Sequence, residues 1–455
     1  MLLASCYFYA VLIPKYLLIL FFVITADYFL AFLINKHEGK KRTLFLLASI
    51  SVNVGTLFFF KYFNFFNENI ASLAQALHFN YNPILLQIAL PLGLSFHVFQ
   101  SLSYIIEVYR KKYTPEKNYI TYALYVLFFP QLVAGPIERP HHLLPQLSAT
   151  HTFDPTLARR GLERMLWGFF KKLVIADQIG QIINPLFLHL PKESSVLILI
   201  AILFTYQLYC DFSGYTDIAL GVASMLGITL RENFNRPFAA SSFADFWRRW
   251  HMSLSTWFRD YVYISLGGSQ VSKVKWVRNI LVTFFLSGFW HGANWTFIIW
   301  GLLNGMYLVI EHLTESVRIK ISYVLGLVRF PKIYQAVCTL FVFLCVAFSF
   351  AIFRAENMTQ GWWIVSNLFS NIDVHFIRYE LLGVMTKAVG TIVFGVTILS
   401  IVLLEVVQYI QAQQGKLYIF DTKPKLVRYT WYAVLTWSIL FFGYFDAQTF
   451  IYFQF

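Results

Sequence analysis

The sequence predicts an all-α protein, a polytopic helical bundle built into a membrane with re-entrant half-helices among its full spans. Three observations predict it. Of 455 residues, 58% are hydrophobic and only 13% are charged, where a soluble domain carries about a quarter. The apolar residues collect in runs of about 20, the length a helix needs to cross a bilayer. These runs are apolar all round, whereas barrel strands alternate over about ten residues. The mean hydropathy is +0.59. At this length a soluble chain would split into two or three domains; here the expectation is one membrane domain, 1–455.

Taken in order, the firm spans are Tyr16–Ile34, Leu44–Phe63, Ile84–Val108, Val196–Leu226, Asn279–Ile310, Tyr334–Phe353, Leu382–Ile410 and Tyr429–Tyr444. Leu2–Ile13, Tyr119–Gly135, Gly161–Leu190 and Phe243–Leu266 are shorter or interrupted. Half-spans survive at membrane depth only inside protein or along a cavity, so several in one chain point to an enclosed polar chamber. No repeat of 20 to 50 residues stands out. The largest polar island, Pro136–Arg160, contains PIERPHHLL and is too short for a domain; it reads equally as an ordered interfacial turn or a solvated loop.

The net charge is +13 and the pI about 9.4. In a membrane protein this excess follows the positive-inside rule, so no nucleic-acid partner is expected. Lys36, Lys40, Lys41 and Arg42 fill the loop Asn35–Thr43, Asn64–Pro83 holds no Lys or Arg beyond the span, and Arg110, Lys111, Lys112 and Lys117 follow the next span. The first and third loops are therefore expected in the cytoplasm and the second outside. Lys416, Lys423, Lys425 and Arg428 place a later loop inside and the C-terminus near Phe455 outside. Cys6, Cys210, Cys338 and Cys345 lie in apolar surroundings without a C-x-x-C pair, which speaks against a disulfide framework or zinc site. LLASCYFYAVLI has no basic residues ahead of it and runs on into the next span, so no cleavable signal peptide is expected.

Polar residues become dense between Gln207 and Gly268. Asp211 and Asp217 lie inside an apolar span, where a carboxylate faces a cavity or a partner; a helix break around Gly214 is the structural alternative. RENFNRPF reads as a turn at the membrane face, in which Arg231 or Arg236 could hold a phosphate. In FADFWRRWHMSLSTWF, Asp245 and Arg249 can pair four residues apart, and His251 would share a helical face with Trp247 and Leu254. Composition makes this segment an interfacial amphipathic helix, with His251 a hydrogen-bonding residue more often than a reacting one. The run Leu286–Thr296, LSGFWHGANWT, places His291 between Trp290 and Gly292. Burial disfavours an imidazolium, and a neutral imidazole is what a general base needs; a hydrogen bond to a neighbouring helix is the competing reading. H-E-x-x-H, Walker and G-x-G-x-x-G patterns are absent, so no metal site or resident cofactor is expected. On the residues alone, an enzyme, a transporter and a scaffold for glycan export all remain open.

FWRRWHMSLSTWFRDYVYISLGGS and FWHGANWTFIIWGLLNG resemble the membrane-bound O-acyltransferase family, in its bacterial branch that acetylates exopolysaccharides such as alginate. LPLGLSFHVFQSLSYIIEVYR, FFPQLVAGPIERP, YCDFSGYTDIALG, ENFNRPF, AIFRAENM and the ending FIYFQF follow in family order over nearly the whole chain. The resemblance implies a funnel meeting a narrow channel, and transfer of an acyl group, acetyl in this branch, from a cytoplasmic thioester toward a hydroxyl of an extracytoplasmic polysaccharide. The donor would be acetyl-CoA or an acyl carrier thioester. Relatives that move D-alanyl groups onto teichoic acid supply the alternative. By the same resemblance His291 is the essential histidine and His251 the second one, with Trp290, Asn294, Asp211, Asn235, Arg248 and Arg249 in support and Asn294 a candidate oxyanion donor. It further implies a multi-pass protein of the bacterial inner membrane, an extracytoplasmic acyltransferase partner, and a hydrophobic segment ahead of LLASCYFY, which here stands at the start. His97 stands in LSFHVFQ, where relatives often carry an aromatic residue, and has no role assigned.

Overall fold

Every regular element among the described residues is helical. The computed structural model describes residues 1–415, 417–421, 423–446, 450 and 451, with the side chain of Leu12 excepted. Lys416 and the last four residues of FIYFQF, with the expected external C-terminus, lie outside the described residues. Among the described residues six helices are long and apolar enough to cross a membrane: Tyr16–Lys36, Gly39–Ala76, Ser194–Met225, Trp295–Leu313, Pro331–Arg354 and Gly390–Gln414. The protein is thus a multi-pass helical membrane protein. The chain divides into two compact units, Met1–Gly161 with Ala219–Arg231, and Leu162–Ile218 with Glu232–Phe455.

The first unit holds α1 (Leu2–Leu12), α2 (Tyr16–Lys36), α3 (Gly39–Leu57), α4 (Phe63–Ala76), α5 (Leu94–Tyr109), α6 (Tyr119–Leu127), α7 (Pro140–Ser148) and the first turns of α8 (Pro155–Phe169). One face of α2 buries Leu20, Val23, Ile24 and Ala31, while Leu18, Phe22 and Phe29 stay exposed. A helix apolar on both faces is one made for lipid. Within its packed face, Asp27 accepts hydrogen bonds from Ser49 Oγ (2.5 Å) and Asn53 Nδ2 (2.8 Å) on α3; these neighbours solvate a carboxyl group that lipid could not. Arg42 donates to the carbonyls of Val108 (3.0 Å) and Tyr109 (2.5 Å) at the end of α5. Lys111 pairs with Glu38 at 3.0 Å. The first and third basic loops therefore meet, as their common expected side requires.

Two expectations change here. The span at Ile84–Val108 begins as a helix only at Leu94. Pro91 withholds a backbone N–H, and Gly93 adopts φ 71°, where a Cβ would lie 2.2 Å from the Leu132 carbonyl oxygen. Apolar composition alone does not register such backbone constraints. The island Pro136–Arg160 is ordered at its start. Glu138 accepts the Arg231 N–H (2.6 Å), its carbonyl accepts Tyr125 Oη (3.0 Å), and its carboxylate lies 2.6 Å from His142 Nδ1. That hydrogen bond to Glu138 holds the His142 pKa above its ordinary value against the opposing effect of burial.

The second unit holds the rest of α8, a π-helical turn (Phe170–Ala176), α9 (Asp177–Leu188) and most of α10 (Ser194–Met225), followed by α11 (Phe243–Arg249), α12 (Met252–Phe258), α13 (Lys273–His291), α14 (Trp295–Leu313), α15 (Glu315–Val324), α16 (Pro331–Arg354), α17 (Met358–Asn367), α18 (Val374–Tyr379), α19 (Leu381–Thr386), α20 (Gly390–Gln414) and α21 (Lys425–Phe442). α10 runs unbroken through Gly214. A Cβ on Gly168 would lie 2.7 Å from the Gly214 carbonyl oxygen, so Gly214 marks a close crossing of α8 and α10, and the alternative of a helix break there does not hold. The run Asn279–Ile310, expected as one span, is a hairpin of α13 and α14 turning at Gly292–Asn294. Leu382–Ile410 is divided between α19 and α20.

Candidate active site

α13 and α14 approach closely because neither carries a side chain at the crossing. A Cβ on Gly288 would lie 2.3 Å from the Phe297 carbonyl oxygen, and one on Gly301 would lie 2.3 Å from that of Phe284. Gly292 faces the Phe297 ring, which a Cβ there would strike at 2.1 Å. These glycines serve the packing of the hairpin. They leave His291 as the last residue of α13, at the turn and only 6% exposed. Its ring lies 4.9 Å from Trp290, 5.0 Å from Trp300 at 89°, and 5.4 Å from Phe353 at 81°. The edge-to-face geometry suits aromatic quadrupoles and fixes the plane of the imidazole.

Asn294 secures the turn. Its Oδ1 accepts the Thr296 N–H at 3.1 Å, an N-cap for α14, and its Nδ2 donates to the Glu356 carbonyl at 2.7 Å. In this arrangement both ends of the amide hold backbone, so its place is that of a clamp beside the imidazole.

His251 sits elsewhere than on a helical face. The amphipathic helix expected within Phe243–Leu266 is broken into α11 and α12 at His251, which adopts φ 42°, ψ 54° and is 1% exposed. Its neighbours Trp250, Leu254, Trp257 and Tyr261 are all buried, so the segment is core and not an interfacial helix. RENFNRPF holds the break open. Met252 N–H donates to the Asn233 carbonyl (2.9 Å), Ser253 N–H to Asn233 Oδ1 (3.3 Å), and Asn235 N–H to the Arg249 carbonyl (2.9 Å). Asn233, fully buried, thus supplies the acceptors that the start of α12 lacks. The His251 ring lies 4.6 Å from Phe212 and 6.1 Å from Trp290, the same indole that flanks His291. One tryptophan therefore touches both histidines.

Asp211 and Asp217 belong to a ladder of charges between α8, its π turn and α10. Lys171 Nζ meets Asp217 at 2.6 Å and Ser213 Oγ at 3.0 Å. Lys172 Nζ meets Asp177 at 2.8 Å and Asp211 at 2.7 Å. Arg164 bridges Asp217 (2.9 Å) and Glu232 (2.5 Å). Asp211 also accepts the Ile451 N–H at 2.8 Å, and Phe450 lies 6.2 Å from Phe212, the ring against His251. Asp211 thereby ties the C-terminal segment to the wall behind His251. Sequence reasoning overlooked Arg164, Lys171 and Lys172, although cations inside an apolar segment call for buried carboxylates, and Asp211 and Asp217 were already in view.

A cavity of about 590 Å³ opens beside this ladder. Arg164, Lys171, Arg236 and Arg249 line it together with Asp217, Glu232 and Asn235, and Trp167, Tyr418 and Trp431 supply apolar wall. Met252 lines it as well, one residue from His251, while neither histidine does. Arg249 pairs with Asp245 at 2.9 Å, as the spacing predicts. Arg248 is exposed and is not part of the lining. The structure therefore gathers His251, Trp290 and His291 in one aromatic core, sets Asn294 at the α13–α14 turn that follows His291, sets Asn235 and Arg249 on the cavity, places Asp211 in the charge ladder, and leaves Arg248 apart. Among the described residues no three His, Cys, Asp or Glu side chains group as a metal site.

A pair of buried histidines in one aromatic core, next to a charged cavity in a helical membrane protein, matches the motifs that suggested an acyltransferase. The model of the membrane-bound O-acyltransferase family matches residues 116–353. A probable alginate O-acetylase AlgI of Azotobacter vinelandii is 41% identical over 327 residues, which cover 71% of this chain and 62% of that protein, under two thirds of its length. A probable alginate O-acetylase AlgI of Pseudomonas aeruginosa is 37% identical over 404 residues, 88% of this chain and 75% of that protein. A peptidoglycan O-acetyltransferase of Helicobacter pylori is 34% identical over 390 residues, 79% and 71% of the two chains. With a family match across the half of the sequence that carries both histidines, and relatives aligned well beyond it, the chain belongs to the membrane-bound O-acyltransferase family.

Proposed function

We propose that this enzyme takes an acetyl group from a thioester on the cytoplasmic side of the bacterial inner membrane and delivers it for O-acetylation of an extracytoplasmic polysaccharide such as alginate. The observation that carries the reading is His291, buried at a hairpin turn, with its ring plane set by Trp290, Trp300 and Phe353. In the reaction, an acceptor oxygen attacks the acyl carbonyl, His291 removes the proton from that oxygen, and the thiolate leaves. His251, across Trp290, orients the acceptor or the acyl group. The cavity beside Met252 receives the donor, acetyl-CoA or an acyl carrier thioester. Its wall includes Leu417–Phe420, in the loop that Lys423, Lys425 and Arg428 assign to the cytoplasm. An extracytoplasmic acyltransferase partner completes delivery to the polysaccharide, because this chain offers its chemistry from within the membrane.

The reading is tested in cells carrying His291→Ala. At equal membrane abundance by immunoblot, the ester content of exported polysaccharide is expected to fall to the background of a deletion strain. The ester lost identifies both the acyl group and the acceptor. Loss of D-alanyl ester in place of acetyl would move the enzyme to teichoic-acid chemistry. Unchanged ester content would remove His291 from the reaction.

A further inference from the structure

We propose that Arg236 is the phosphate anchor of the cavity and selects donors whose pantetheine arm carries a phosphate ester. The assignment rests on the proposed thioester donor and adds a residue and a chemical group to it. Four cations line the cavity, and three are already neutralised. Arg164 holds Asp217 and Glu232, Lys171 holds Asp217, and Arg249 holds Asp245. Arg236 has no carboxylate within ion-pair distance among the described residues, and its buried Nε has no hydrogen-bond partner there. Glu405 accepts a hydrogen bond from Tyr206 Oη at 3.2 Å and interacts electrostatically with Arg236 from beyond ion-pair distance, so its partial compensation leaves the guanidinium without a direct counter-ion.

The backbone fixes the direction in which this side chain leaves, and a ring contact places its head group. Arg236 adopts φ 47°, ψ 63° immediately before Pro237. A left-handed conformation is unfavourable for a residue with a Cβ, and a following proline bars the right-handed helical region. Its guanidinium lies 5.7 Å from the centre of the Tyr409 ring, an arrangement that holds the planar group while leaving its edge N–H donors free for a ligand. A guanidinium edge pairs with phosphate oxygens through two parallel hydrogen bonds. A cavity of this volume lies within the range of pockets that enclose small ligands. Phosphate is the group common to coenzyme A and to a carrier protein's prosthetic arm, and the acyl thioester end carries no anion for Arg236 to meet.

The test uses full-length protein in neutral-lipid nanodiscs and two non-hydrolysable probes, the S-acetonyl thioethers of phosphopantetheine and of pantetheine, which differ only by the phosphate. Wild type is expected to bind the phosphorylated probe at least about tenfold more tightly. R236Q is expected to bind both probes alike, with its pantetheine affinity unchanged. R236K restores part of the preference, and exposed Arg329→Gln leaves it intact. A preference that persists in R236Q overturns the assignment while acyl transfer stands. A wild type that binds neither probe, yet takes up phosphatidylglycerol through Arg236, overturns the thioester donor and the assignment together. His291→Ala should bind both probes like wild type, which separates anchoring from catalysis.

Discussion

At the scale of single residues, the two histidines hold their rings by different means. His291 ends a helix, and three aromatic rings set its plane. His251 is placed by its backbone, in a left-handed conformation that costs an L-residue roughly 1–2 kcal/mol. That cost is offset by the Asn233 acceptors at the start of α12 and by the packing of Trp250 against Phe246 and Phe350. Strain of this kind gathers where a side chain must be held for a purpose. Glycine adopts the same φ and ψ freely, so His251→Gly removes the imidazole while keeping the break. It is expected to match wild type in thermal stability and to lose ester transfer. His251→Ala, which keeps the strain, is expected to be inactive and less stable than the glycine variant by about 1 kcal/mol. Transfer that survives in the glycine variant would show that the position needs the bend and not the ring. On its residues the sequence read His251 more as a hydrogen-bonding group than a reacting one, and family likeness made it the second histidine. Nothing in WHMS signals a left-handed residue, as a glycine or asparagine there would have done. Asn294 was legible as polar and near His291; that both ends of its amide hold backbone was not.

At the scale of elements, hydropathy located the long apolar helices well and the backbone breaks poorly. Tyr16–Ile34, Val196–Leu226 and Tyr334–Phe353 each lie within or within a residue of one helix, because those runs contain no residue that halts a helix. Asn279–Ile310 became a hairpin because its turn is made by Gly292 and the capping side chain of Asn294, two small signals inside a run of aromatic residues. The hairpin depends on its glycine crossing. Gly301→Leu drives a side chain into the Phe284 carbonyl and should cost at least about 2 kcal/mol, at the scale of overpacking in a close-packed interior. Thermal unfolding in detergent is expected to shift down, and ester transfer to fall with the displaced Trp300. Gly395→Ala in α20 supplies the contrast. A Cβ there meets nothing within 4 Å, and alanine is the better helix former, so stability should hold or rise. Equal stability of the two variants would mean that α13 and α14 do not rely on close approach. The charge ladder belongs to this scale too. Asp211 and Asp217 were noticed as carboxylates in an apolar run, but their partners come from a segment read only as short and interrupted. The π turn that delivers Lys171 and Lys172 has no sequence signature of its own.

At the scale of the whole molecule, charge carries what hydropathy does not: sidedness. The excess of +13 is placed unevenly, and two basic loops distant in sequence come together through Lys111–Glu38 and through Arg42 on the end of α5. Their contact puts both on one side of the membrane regardless of how many spans are counted between them. It also removes the weakness of the sequence argument, which relied on Ile84–Val108 being a full helix when residues before Leu94 are not. The positive-inside rule puts those loops in the cytoplasm. Independently, the proposed reaction needs the cavity wall at Leu417–Phe420 to face the cytoplasm, since the thioester is made there. Cysteines placed singly at Asn80, Lys112 and Lys425, all exposed, test this arrangement with a membrane-impermeant thiol reagent on intact spheroplasts. Asn80→Cys is expected to react at once, whereas Lys112→Cys and Lys425→Cys react only after the membrane is opened. Labelling of Lys112→Cys in sealed spheroplasts would invert the first unit. Labelling of Lys425→Cys alone would turn the charged cavity toward the outside, where it could receive the polysaccharide but not the donor, and the direction of transfer proposed for this enzyme would have to be reversed.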